Sequence, residues 1–71
     1  MKVIAKTRFN AARQNIEKVG DNKYLIYLPF EEDGDAMAMI KAVLSKYLGV
    51  PIPRIEGFGK DINKDWVFEI R

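Results

Sequence analysis

Seventy-one residues are enough for one hydrophobic core and too few for two, so residues 1–71 are expected to form a single domain. A content of 48% apolar and 31% charged residues is that of a globular chain and excludes low-hydrophobicity disorder. The absence of cysteine and histidine excludes disulfides, thiol nucleophiles, an imidazole base and zinc-finger ligation.

The net charge of +2 hides a polar distribution. Residues 1–23 carry six basic and two acidic side chains, residues 24–40 none and four, and residues 41–71 six and four. No apolar run approaches the roughly 20 residues of a membrane span, so neither a span nor a signal peptide is expected and a cytoplasmic location is the default. A chain this short hides only about 60% of its unfolded surface, which makes a partner or a homodimer a natural source of added stability.

Residues 2–9 alternate with period two, Val3, Ala5, Thr7 and Phe9 on one side and Lys2, Ile4, Lys6 and Arg8 on the other. This pattern predicts a half-buried strand whose cationic side is either a solvated face or a guarded edge. Residues 10–19 fit two readings: a short helix capped by Asn10 and closed by Gly20, or a strand over Ile16–Val19. The strand is preferred, because Gly20-Asp21-Asn22 is a turn cluster and KYLIYLPF after it is the strongest β segment in the chain. Both sides of that segment are apolar, which suits an interior strand, and Pro29 ends its pairing.

A helix is predicted over Asp33–Gly49. Asp33 or Asp35 caps its start, and Glu31, Glu32, Asp33 and Asp35 complement the positive end of the helix dipole. Met37, Ile40, Val43, Leu44, Tyr47 and Leu48 recur at spacings of three and four and form the stripe that faces a sheet. Gly49 and Pro51 stop the helix. Residues 54–58 and 66–70 are two further strands, with Trp66, Phe68 and Ile70 pointing inward and residues 59–65 as a polar connection. The expected fold is an α+β two-layer sandwich: one amphipathic helix on a mixed four- to five-stranded sheet, in the chain order β-β-β-α-β-β.

That order, with FNAARQNIEKV near the start, DGDA opening the helix and YLGVP closing it, resembles the YggU-like family of small uncharacterised proteins over nearly the whole chain. The resemblance implies the same two-layer sandwich and no established activity. The family opens its helix with Asp-Gly-Lys-Ala-Asn; this chain keeps Asp33, Gly34 and Ala36 but has Asp35 and Met37 at the two polar positions. Where the family has Ser-Gly and a basic loop ending in Lys, this chain has Phe58-Gly59 and Asp65. Its framework follows the family while its polar signature departs from it.

Three groups of residues carry candidate chemistry. Glu31, Glu32, Asp33 and Asp35 offer carboxylates for acid-base work or an oxygen-rich cation site, although capping and the helix dipole account for them more simply. Lys60 and Lys64 flank a loop with one glycine, a mild anion-binding signal without a P-loop pattern. Lys6, Arg8 and Arg13 form a cationic patch for an anionic partner such as nucleic acid, with Tyr27 and Trp66 as stacking groups if exposed. Ser45 and Thr7 lack any activating base. These residues favour a non-catalytic binding or interaction module that needs no cofactor. A small carboxylate- or metal-dependent enzyme and a homodimeric structural protein are the alternatives.

Overall fold

The alternating segment at the start of the chain becomes the centre of a sheet. In the computed structural model, which describes all of residues 1–71, β1 (Lys2–Arg8) lies between two hairpins. One is β2 (Asn15–Gly20) with β3 (Lys23–Tyr27); the other is β4 (Ile55–Lys60) with β5 (Trp66–Ile70). The five strands take the spatial order β2-β3-β1-β5-β4, with β1 parallel to β3 and every other pair antiparallel. β1 is therefore neither an edge nor a guard against other chains; the edges are β2 and β4.

Residues 10–14 form no helix. Asn10 adopts a left-handed φ of 58°, and its N–H donates to the Phe30 carbonyl at 2.9 Å while Ala11 N–H donates to Leu28 at 3.0 Å. These bonds lay the chain across the end of β3, beyond Pro29, so that β2 can run back along the outer edge. Leu28 N–H donates to Arg8 and extends the parallel ladder one residue past Tyr27.

The predicted helix is α1 (Ala36–Leu48), preceded by an Asx turn in which Asp33 Oδ1 accepts the Asp35 N–H at 2.9 Å. Asp35 occupies the N-cap without a side-chain capping bond. Gly49 closes the helix at φ 69°, and Val50 N–H reaches back to the Ser45 carbonyl at 3.1 Å in a Schellman-type stop. A short 3-10 turn, Ile52–Arg54, leads into β4.

The core lies between α1 and one face of the sheet. Ile40 and Leu44 are fully buried, as are Val3, Ala5, Ile26, Leu28 and Phe68, and Tyr24, Ile55, Trp66 and Ile70 complete the layer. Ala5 is registered between Tyr24 and Trp66, so the smallest side chain of β1 sits beside two of the largest. On α1, Met37 and Leu48 are half-buried, and Tyr47 is half exposed with its ring edge-on to Tyr24 at 5.7 Å. No helix is long and apolar enough to cross a membrane.

Candidate functional site

α1 covers one face of the sheet, and strand alternation delivers a second set of side chains to the other. On β1 this set is Lys2, Ile4, Lys6 and Arg8; on β3 it is Lys23, Leu25 and Tyr27; on β2, Asn15 and Glu17. Val67 and Glu69 of β5 and Glu56 of β4 extend it. Register fixes the neighbours: Lys23 and Val67 flank Ile4, Leu25 lies between Lys6 and Glu17, and Tyr27 lies between Arg8 and Asn15. Ile4, Leu25, Tyr27 and Val67 are half-buried in a continuous apolar strip, while Lys2, Lys6, Arg8 and Lys23 are exposed around it.

The charges on this face are segregated. Glu56 and Glu69 oppose each other directly, a repulsive pairing in an isolated ladder, but Glu56 pairs with Arg71 and Glu69 with the Met1 amino group at 3.1 Å. Lys6, Arg8, Arg13 and Lys23 have no carboxylate within 4.0 Å. The half of the face formed by β1, β2 and β3 thus presents unneutralised cations, and Glu17 is the lone acid in its rows.

At the end of this half is an open depression of about 280 Å³, lined by Ala11, Ala12, Arg13, Asn15, Glu17 and Tyr27. The crossing segment over the end of β3 forms one wall, β2 supplies Asn15 and Glu17, and β3 supplies Tyr27. Lys6, Arg8 and Tyr27 therefore share the uncovered face, and Arg13 reaches its end.

The remaining residues of interest lie elsewhere. Lys60 is registered with Trp66 on the helix-covered side; its ammonium lies 5.3 Å from the Trp66 ring centroid and pairs with Glu32. Trp66 is buried, so it offers no stacking surface. Lys64 stands exposed at φ 64° in a turn held by Asp61, whose Oδ1 accepts the amides of Asn63 at 2.8 Å and Asp65 at 3.1 Å. Those amides are consequently engaged within the loop itself.

The acidic residues do not gather into a cleft: Asp33 binds the Asp35 amide, Glu32 holds Lys60, Glu31 is exposed, and no three carboxylates converge. The helix start and β4 do meet, since Glu32 reaches Lys60 and Met37 packs over Gly57. Ser45 donates to the Val50 carbonyl at 2.5 Å and serves the helix stop.

Sequence reasoning did not single out Asn15, Glu17 or Lys23. Their signal was present in the period-two pattern of β2 and β3, but only the hairpin register assigns them to the uncovered face. Comparison of the chain with protein-family models, with curated proteins and with solved structures finds no match.

Proposed function

We propose that the domain is a non-catalytic module that binds single-stranded nucleic acid on the face of the sheet opposite α1. The observation that carries this reading is the registration of Arg8 against Tyr27, with Lys6 two pairs further along the same two strands and on the same face. A half-buried aromatic ring beside unpaired cations matches the needs of a flexible polyanion whose bases are free to stack. Phosphates take the cations, and the ring takes a base without regard to its sequence. Counterion release makes such binding steeply dependent on salt.

The test is fluorescence anisotropy of a labelled 12-nucleotide RNA at rising salt. Binding should weaken steadily with salt, and Lys6→Ala with Arg8→Ala should lower the salt slope by about 1.4, roughly 0.7 per phosphate contact on a single strand. No binding at low salt would remove the reading.

A second reading, a homodimer through the same face, draws on the continuous strip Ile4, Leu25 and Val67. Sedimentation at micromolar concentration separates the two: a monomer that binds RNA favours the first, and a dimer that buries Tyr27 favours the second. The carboxylate-enzyme alternative has less support, because Glu32 and Asp33 already have structural partners.

A further inference from the structure

Resting on the nucleic-acid reading, we infer that the depression beside Tyr27 is a subsite for a guanine base within a single strand. A ligand recognised only through phosphate would meet cations alone, yet this hollow contains Glu17, which has no cation within 4.0 Å. A free carboxylate repels phosphate and accepts hydrogen bonds, so its counterpart is a group that donates. Glu17 lies diagonal to Tyr27, in register with Leu25, while Asn15 is directly opposite Tyr27. Diagonal cross-strand neighbours are about 7–8 Å apart, within reach of a long side chain toward the edge of a base stacked on the tyrosine.

Guanine has two adjacent donors on its Watson–Crick edge, N1–H and the N2 amino group, matching the two oxygens of one carboxylate. Adenine and cytosine each offer one amino group next to an acceptor nitrogen, which faces the second oxygen unfavourably. Uracil offers a single donor between two acceptors. Asn15 supplies both a donor and an acceptor beside the same edge. Arg8, registered with Tyr27, and Arg13, in the lining of the depression, are placed for neighbouring phosphates. The depression, about 280 Å³, is open to solvent beside Tyr27.

The experiment uses the full chain and four probes: the RNA pentamers UUGUU, UUAUU and UUIUU, where I is inosine and lacks the N2 amino group, and free GMP. UUGUU should bind on the order of tenfold more tightly than UUAUU, with UUIUU between them. Glu17→Gln, a change at an exposed side chain that replaces two acceptor oxygens by one acceptor and one donor, should abolish that preference. Equal affinity for UUGUU and UUAUU, a preference that survives Glu17→Gln, or GMP binding as tight as UUGUU would each overturn the guanine subsite. If all three pentamers bind equally and lose affinity in the Lys6→Ala, Arg8→Ala variant, the nucleic-acid reading stands and the subsite alone falls. If none binds at low salt, both fall.

Discussion

Gly57 shows how one residue joins the two layers. A Cβ at this position would lie 2.5 Å from Met37 Sδ and 3.1 Å from Met37 Cγ, so the Met37 side chain occupies the space that a larger residue of β4 would take. The atoms in the way belong to the flexible thioether end of Met37, which turns aside at small cost, so Gly57→Ala is expected to cost about 0.5–1.5 kcal/mol, and Met37→Ala should remove most of that cost in the double variant. Urea denaturation of the four proteins of the cycle measures the coupling; additive effects would show that the contact carries no strain.

Asp61 has a comparable local role. Its carboxylate organises the loop between β4 and β5, so Asp61→Ala should cost about 1–2 kcal/mol and broaden the amide resonances of Asn63 and Asp65. Neither role is visible in the sequence, where Gly57 reads as a weak strand residue and Asp61 as one charge in a polar run.

At the scale of elements, the helix was the most legible part of the chain and the register of β2 the least. The spacing of Ile40, Val43 and Leu44 predicts the stripe that is buried, and Gly49 predicts the stop. The missed member is Ala36, buried at the first turn, because alanine carries little periodic signal. Leu44 is fully buried against the sheet, so Leu44→Ala should lose about 2–5 kcal/mol. A domain of this size holds roughly 4–10 kcal/mol in total. Circular dichroism should therefore show a large fall in the melting temperature, while Ala42→Ser on the exposed side should leave it almost unchanged.

The strands were harder to assign than the helix. The preference for β over helix in residues 10–19 holds for Asn15–Gly20, and residues 10–14 instead follow the backbone bonds that carry the chain over β3. The cationic side of β1 pointed to a solvated face or an edge. It is a solvated face on a central strand, because long-range pairing with β3 and β5 decides centrality and leaves no mark in a local pattern.

Across the whole molecule, two hairpins flank one strand, and a single helix covers one side of the sheet. The most protected backbone should then be that of β1, paired on both sides at the middle of the sheet. Native-state hydrogen exchange is expected to rank the paired amides of β1 and β3 slowest, with residues 10–14 and 61–65 much faster. Slowest exchange in β4 would contradict this order of cooperativity.

Composition and periodicity alone determined the α+β class, the helix and its stop, the inward side of β5 and the chain order of the elements. These depend on local physics, namely side-chain period, capping and turn chemistry, which a linear sequence records directly. Tertiary structure decided which strand is central, which charges share a face, and which have partners. It separated Lys60, tied to Glu32 beside a buried Trp66, from Lys6, Arg8 and Arg13 beside Tyr27. It also brought Asn15 and Glu17 to that tyrosine. Such groupings depend on register between segments distant in sequence. A shift of one residue would move every side chain of a strand to the opposite face; a strand's own pattern says which side is buried but not which strand lies beside it.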